Sequence, residues 1–259
     1  MKKYSILNPL ALSFYSKELY RDVGQEWRGT GFLYLFLLLA LAWIPIAFKV
    51  HTGFVKWLNE NAPAFLLQVP AVNIQNGRVH TDVPTPYVIT SNTGEPIVII
   101  DLTGEYTDLD DTTAVILLTE DKLHLKQENR RQTQVHDLSQ VQHFSLNRPD
   151  LEAWAVWART WFGVVFYLVV LLSEFVYRIV QALLYAAVGL AFCKSLKTSL
   201  PYLTVLRLAV IALTPVILVQ TILSAMDIGF PGAFLLWLAI ALGYLYFAVK
   251  ANAESSAPA

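Results

Sequence analysis

The run that decides the fold covers residues 151–193, LEAWAVWARTWFGVVFYLVVLLSEFVYRIVQALLYAAVGLAFC, which is almost wholly apolar. A hydrocarbon core about 30 Å thick needs roughly 20 helical residues, so this run is too long for one simple crossing. It is either two crossings joined by a turn at 173–178 or one long helix of which about half projects from the membrane. Residues 173–178 contain no Gly, Pro or Asn to form a turn. One helix also leaves Lys194 and Lys197 on the cytoplasmic side, as the positive-inside rule prefers. We favour the long helix, projecting outward to meet an outer domain.

The composition is that of a membrane protein. Hydrophobic residues make up 55% of the 259 residues, charged residues only 15%, and the mean hydropathy is +0.47. Acidic residues are concentrated in one segment, because residues 50–152 contain 14 of the 20 acidic and 7 of the 19 basic side chains. We therefore expect a separate, water-facing domain within this segment.

Apolar runs on either side of that domain predict the other crossings. Residues 30–48 form the first transmembrane helix, 200–224 the next after the long helix, and 233–249 the last. Thr214-Pro215 is predicted to interrupt the 200–224 helix at mid-depth. The flank before residue 30 carries five Lys or Arg and three acidic residues. The positive-inside rule then places both termini in the cytoplasm and the inserted domain outside.

Two amphipathic segments flank the first crossing. Residues 8–28 place Leu12, Tyr15, Leu19, Val23 and Trp27 on one helical face, with charged side chains opposite. This helix either lies in the headgroup plane or packs on the cytoplasmic side of the bundle. Residues 54–68 predict a second, short amphipathic helix after the crossing.

From residue 69 the hydrophobic period changes to two, which is typical of strands. Strands are predicted at 71–75, 78–82, 87–91, 97–102, 114–119 and 123–127, with one or two more in 135–146. Asn76-Gly77 between the first two strands indicates a type I′ hairpin turn. The predicted fold is an α+β membrane protein, a bundle of four transmembrane helices (alternatively five) with a small antiparallel β domain inserted outside the membrane. The predicted divisions are 1–49, 50–150 and 151–259.

The inserted domain offers few candidates for metal chemistry. Its densest acidic cluster is Asp101, Glu105, Asp108, Asp110 and Asp111. Carboxylates at short spacing could hold calcium, but the spacing does not match an EF-hand loop, and we favour a solvated turn. The five histidines also lie in or beside this segment, at positions 51, 80, 124, 136 and 143, without a metalloprotease pattern. We expect no cofactor and no metal.

Ionisable side chains inside a membrane are costly and mark functional sites by default. The candidate site is therefore Glu174 and Arg178, an i, i+4 pair, with Tyr177 and Gln181 as neighbours. The alternative is a purely structural pair satisfied against a neighbouring helix.

Four stretches carry a resemblance to a known family: Trp27-Arg28-Gly29-Thr30-Gly31-Phe32, residues 97–104, residues 116–119, and the helix from Pro201-Tyr202 to Thr214-Pro215. The chain resembles a family of bacterial integral membrane proteins of unknown function, some of whose members are labelled maltodextrin-utilisation proteins. Its last helix pair is similar to the Yip-type membrane superfamily. The resemblance implies a location in the bacterial inner membrane, and it carries over no catalytic residue.

Two functions are compatible with these features. The first, which we favour, is a non-enzymatic adaptor or scaffold whose outer β domain binds a protein, envelope or lipid partner. The second is a component of lipid or small-solute transport that uses the Glu174 and Arg178 pair and the helix broken at Pro215. The expected partners are membrane lipids and a protein, and nothing indicates nucleic acid.

Overall fold

The computed structural model describes residues 3–127 and 133–255. It divides into two compact units: unit 1 comprises Met1–His51 and Gly163–Ala259, and unit 2 comprises Thr52–Phe162. The helices are α1 (Pro9–Leu12), α2 (Lys17–Glu26), α3 (Thr30–Leu66), α4 (Arg148–Ser195), α5 (Tyr202–Ala212), α6 (Thr214–Ala225) and α7 (Ala233–Ser255). Between α3 and α4, the described residues form eight strands.

Within the described ranges, four helical segments are long and apolar enough to cross a membrane. They are Thr30–Leu66, Arg148–Ser195, Tyr202–Ala225 and Ala233–Glu254. The chain is therefore a multi-pass membrane protein with two small β-sheets inserted between the first and second long helices. This agrees with the predicted fold class.

The long apolar run forms one uninterrupted helix, α4, of 48 residues. The prediction of a single helix is confirmed, and the alternative of two crossings with a turn at 173–178 is wrong. The polar side chains near its middle do not form a turn. They make hydrogen bonds to residues four positions away on the same helix. The Ser173 hydroxyl donates to the Val169 carbonyl at 2.8 Å, and Arg178 Nε donates to Glu174 Oε1 at 2.7 Å.

The first crossing is longer than the sequence suggested. Helix α3 continues for 37 residues, through Pro45 and Gly53, to Leu66. The predicted separate helix at 54–68 is therefore wrong. A helix loses one backbone hydrogen bond at an internal proline, and an internal glycine costs about 1 kcal/mol relative to alanine. Neither cost is enough to end a helix of this length.

The N-terminal amphipathic segment forms two helices, because residues 13–16 interrupt it between α1 and α2. Ser16 caps α2 by accepting a hydrogen bond from the Leu19 backbone N–H at 3.2 Å. Leu19, Val23 and Trp27 are fully buried in the helical core of unit 1. Of the two predicted placements, packing on the bundle is the one that the structure has. Tyr15 does not share this face and is 67% exposed.

Helix α2 packs closely against α7, and the contact depends on Gly24. A Cβ added at Gly24 would collide with the Asn252 carboxamide oxygen. Asn252 is held there because its Nδ2 donates to the Tyr20 carbonyl and to the Ala248 carbonyl, both at 3.0 Å. Gly24 therefore lets the backbones of α2 and α7 come close together, and Asn252 of α7 then hydrogen-bonds to α2.

The crossing Tyr202–Ala225 is broken into α5 and α6 at Leu213, next to Thr214-Pro215, as predicted. Pro215 has no N–H, so the helical ladder is interrupted there. Thr214 is fully buried, and its hydroxyl hydrogen-bonds the Tyr34 hydroxyl of α3 at 2.9 Å. The break is therefore buried inside the bundle, and the Thr214 hydroxyl has a hydrogen-bond partner there.

The described residues of unit 2 form two sheets. The strands are β1 (Val72–Gln75), β2 (Arg78–Thr81), β3 (Tyr87–Thr90), β4 (Pro96–Ile100), β5 (Ile116–Leu118), β6 (Lys122–Lys126), β7 (Thr133–Asp137) and β8 (His143–Leu146). They form the sheets β2-β1-β8 and β3-β4-β5-β6-β7. All pairs are antiparallel except β4 with β5. Asn76 and Gly77 have φ values of 51° and 82°, so the predicted type I′ turn is confirmed.

Substituting Gly24 tests the α2–α7 contact. We expect Gly24→Ala to lower the free energy of unfolding by about 1–3 kcal/mol, because Asn252 must move and lose its bonds. Gly53→Ala is the matched control, since a Cβ there meets nothing within 4 Å. It should be neutral or stabilise α3 by up to about 1 kcal/mol. Thermal unfolding in detergent measures both, and equal effects would contradict the proposed contact.

Candidate functional site

The candidate intramembrane pair belongs to a polar cluster that joins α4 to α6. Arg178 is 8% exposed and donates three hydrogen bonds. They run from Nε to Glu174 Oε1 at 2.7 Å, from Nη1 to Gln181 Oε1 at 2.8 Å, and from Nη2 to Gln220 Oε1 at 2.9 Å. Gln181 Nε2 in turn donates to the Tyr185 hydroxyl at 2.9 Å. The guanidinium is therefore held by acceptors on two helices.

Three of the four predicted site residues meet in this cluster, and the fourth is peripheral. Glu174, Arg178 and Gln181 bond directly, as their helical spacing indicates. Tyr177 is 51% exposed and lies beside the cluster, with its ring centroid 5.5 Å from the Arg178 guanidinium carbon. This distance allows a cation–π contact.

Two members of the cluster were not predicted as site residues, namely Tyr185 and Gln220. Gln220 is separated from Arg178 by 42 positions, so sequence spacing could not pair them. The signal in the sequence that could have identified Gln220 is that it is the one amide side chain in the mostly apolar helix α6. A buried amide in a membrane helix needs a hydrogen-bond partner.

A cavity of about 310 Å³ lies beside the polar cluster. Glu174, Arg178, Gln220, Thr221 and Ser224 supply its polar lining, and the aromatic residues lining it are Trp43, Phe230 and Trp237. An apolar cavity with a few convergent polar groups has the general character of a small-ligand site. The predicted break at Thr214-Pro215 does not line it.

The predicted acidic cluster does not assemble as a metal site. Asp101 is buried and organises its own loop, since it accepts from the Thr103 N–H at 2.8 Å and the Tyr106 N–H at 2.6 Å. Burial raises the pKa of the Asp101 carboxyl. The hydrogen bond that the Thr103 hydroxyl donates at 2.6 Å and these backbone hydrogen bonds together lower it by more, so the pKa lies below its ordinary value. The remaining members are exposed: Glu105, Asp108, Asp110 and Asp111. Across residues 3–127 and 133–255, no three His, Cys, Asp or Glu side chains form a group that could hold a metal.

Unit 2 contains a larger cavity, which we call the unit 2 groove. Its volume is about 590 Å³, and most of its lining is apolar. Residues from α3, α4 and the ends of β3 and β4 line it, including Trp57, Phe65, Leu66, Trp154, Ala155 and Ile97. Trp57 and Trp154 are each 58% exposed. The ring of Phe54 on α3 stacks on that of Phe162 on α4 with centroids 3.9 Å apart, which fixes the two helical walls.

The polar rim of the groove is already hydrogen-bonded. Asn92 Nδ2 donates to Asn61 Oδ1 at 2.8 Å. β3 is an edge strand, yet the Gln68 side chain covers it at Thr90: it accepts from the Thr90 N–H at 2.9 Å and donates to the Thr90 carbonyl at 3.2 Å. A covered edge resists addition of another strand at that point.

The comparisons with known proteins identify the family. The family described as "Protein of unknown function (DUF1189)" matches residues 7–249, which is most of the chain. The chain belongs to this family. No curated protein matches this DUF1189 chain. No solved structure matches it either.

The polar cluster of this DUF1189 protein can be tested by removing one charge or both. Arg178→Met leaves Glu174 charged and mostly buried, so we expect a loss of about 3 kcal/mol in the free energy of unfolding. Glu174→Met/Arg178→Met removes both charges and should recover most of that loss. Thermal unfolding in detergent gives the comparison.

The exposed i, i+4 pair Arg148 and Glu152 supplies the matched control. Arg148→Met should cost at most about 1 kcal/mol, because solvent screens this pair. Equal losses for the single and double variants of the polar cluster would show that Glu174 is not stabilised by Arg178.

Proposed function

We propose that this protein is a non-enzymatic membrane adaptor whose unit 2 binds a partner through the unit 2 groove. We place it in the bacterial inner membrane, with both termini cytoplasmic and unit 2 extracytoplasmic. The charge bias before the first crossing, five basic residues against three acidic ones, supports this orientation.

The observation that carries the proposal is the groove itself. Its volume of about 590 Å³ lies within the usual range for binding sites, roughly 300–1,000 Å³. Two exposed tryptophans, Trp57 and Trp154, line it. Exposed aromatic side chains beside an apolar pocket are the residues that most often dominate the binding energy of protein interfaces.

The covered edge of β3 favours one mode of binding. Because Gln68 occupies the backbone groups of Thr90, a partner would not extend the sheet there. It would instead insert apolar side chains between α3 and α4. A protein partner with an apolar anchor fits this arrangement, and a lipid acyl chain is the competing occupant.

A maltodextrin-related role would need a site with many hydrogen-bonding groups for sugar hydroxyls. The groove offers Asn61, Thr90, Ser91 and Asn92, of which Asn61 and Asn92 already bond each other. The link to the Yip-type superfamily rests on the last helix pair and adds no ligand. Neither resemblance changes the proposed adaptor role.

Site-specific photocrosslinking in cells tests the adaptor role. A photoreactive phenylalanine at position 58, where Leu58 lines the groove, should yield an adduct with a discrete protein. Ala155→Trp should reduce this adduct about tenfold, since a bulky ring would fill the groove that Ala155 lines. Ala153→Trp is the control, because Ala153 is exposed on the same helix and does not line the groove.

Three results would contradict the adaptor role: no protein adduct, adducts with lipid alone, or equal adducts in both alanine variants. Size-exclusion chromatography in detergent verifies that each variant is folded before its crosslinks are compared.

A second candidate function is transport of a lipid or small solute, and the cavity beside the polar cluster favours it. Arg178 donates one bond from each of its three nitrogens. A guanidinium has five N–H groups, so two have no partner among the described residues and remain for a ligand. Glu174 balances its charge, which would suit a polar but uncharged or zwitterionic cargo.

A vesicle assay tests the transport function. Proteoliposomes with a fluorescent phospholipid should lose inner-leaflet fluorescence to added dithionite faster than protein-free vesicles. Ser224→Trp should slow this severalfold by filling the cavity that Ser224 lines, whereas Ser173→Trp, exposed on α4 outside the cavity lining, should not. An unchanged rate in Ser224→Trp would exclude this route for lipid.

A further inference from the structure

A third cavity, which we call the basic cavity, lies at the beginnings of α3 and α5. Its volume is about 410 Å³. Arg28, Gly29, Gly31 and Arg207 line its polar side, and the rest of its lining is apolar, including Phe32 and Leu203. The two arginines come from distant parts of the sequence, and the cavity is separate from the unit 2 groove and the polar cluster.

Arg207 is only partly satisfied within this cavity. Its Nε donates to the Leu203 carbonyl at 3.1 Å, and its Nη2 donates to the Thr204 hydroxyl at 2.9 Å. Its Nη1 is buried without a hydrogen-bond partner in the described part of the chain. A buried charged donor without an acceptor costs more than about 1–3 kcal/mol, so the site calls for an acceptor.

Neither arginine of the basic cavity is paired with a carboxylate among residues 3–127 and 133–254. Two other arginines of unit 1 differ, because Arg178 pairs with Glu174 and Arg21 pairs with Glu254. Two like charges facing one cavity repel each other, and the repulsion grows as water is excluded. An anion between the two arginines would offset their repulsion and would give Arg207 Nη1 an acceptor.

We propose that the basic cavity binds the phosphate of an anionic phospholipid headgroup. Arg28 and Arg207 would hold the phosphate oxygens, because the planar guanidinium matches phosphate geometry with two parallel bonds. Arg28 is exposed, which leaves the cavity open to the headgroup layer, and Leu203 is 68% exposed, where an acyl chain could lie. Basic pockets between transmembrane helices on the cytoplasmic side are known to suit anionic headgroups.

The geometry of α3 assists this site. The helix begins at Thr30, so the N–H groups of its first turn have no partner within the helix. The positive end of the helix adds to the charge of the arginines. Gly29 has φ of +79°, which glycine adopts without strain, and lets the chain enter the helix beside the cavity.

Native mass spectrometry of the delipidated full chain tests the proposal. Phosphatidylglycerol should bind at lower concentration than phosphatidylcholine with the same acyl chains. Arg28→Gln/Arg207→Gln should weaken phosphatidylglycerol binding about tenfold (about 1.4 kcal/mol) and abolish the preference. Arg78→Gln/Arg148→Gln removes the same charge from exposed ion pairs and should change neither.

Arg28→Gln alone keeps the test decisive if the double variant does not fold, because Arg28 is exposed and its loss disturbs no packing. It should weaken phosphatidylglycerol binding about threefold. Unchanged lipid preference in either variant would overturn the proposal. Inorganic phosphate alone should not displace the lipid, and full displacement at equal phosphate concentration would instead assign the site to a soluble anion.

Discussion

The helical bundle depends most on the hydrogen bonds and the ion pair that the buried guanidinium of Arg178 makes. In the low dielectric of a bundle, an unpaired charge costs a large free energy. The Arg178 guanidinium therefore requires hydrogen-bond acceptors on every side. Glu174 and Gln181 come from its own helix, but Gln220 comes from α6. The bond to Gln220 therefore joins the long helix α4 to the broken crossing.

The same rule explains why the broken crossing is tolerated. Pro215 removes a backbone donor, and polar backbone freed inside a bundle must be surrounded by protein. Leu213, Thr214 and Pro215 lie in the most buried part of unit 1, and the Thr214 hydroxyl bonds Tyr34 on α3. Arg178 and Thr214 thus connect the broken crossing to two different long helices through side-chain hydrogen bonds. A third side-chain hydrogen bond lies at the start of that crossing, where the Tyr202 hydroxyl donates to the Leu183 carbonyl of α4 at 3.1 Å.

Local features of the sequence were the predictable ones. The Asn76-Gly77 turn, the strands around it and the break at Thr214-Pro215 follow from the preferences of a few adjacent residues. The continuation of α3 through Gly53 could not be predicted from adjacent residues. A glycine costs a helix only about 1 kcal/mol in stability relative to alanine, which is too little to end a long helix. The hydrogen bond between Arg178 and Gln220 is equally non-local, since only the packing of helices brings the two residues together. The same holds for Arg28 and Arg207, which line one cavity.

The arginines of unit 1 differ in how their charge is balanced. Arg178 has its charge neutralised by Glu174 and its nitrogens bonded on three sides, so it stabilises the bundle without any ligand. Arg207 has two bonds to neutral groups and a buried nitrogen without an acceptor among the described residues, and it shares its cavity with a second cation. A chain that had only to fold would gain by replacing such a cation with an apolar residue. Its presence is therefore better explained by an anion supplied from outside the chain than by a contribution to folding.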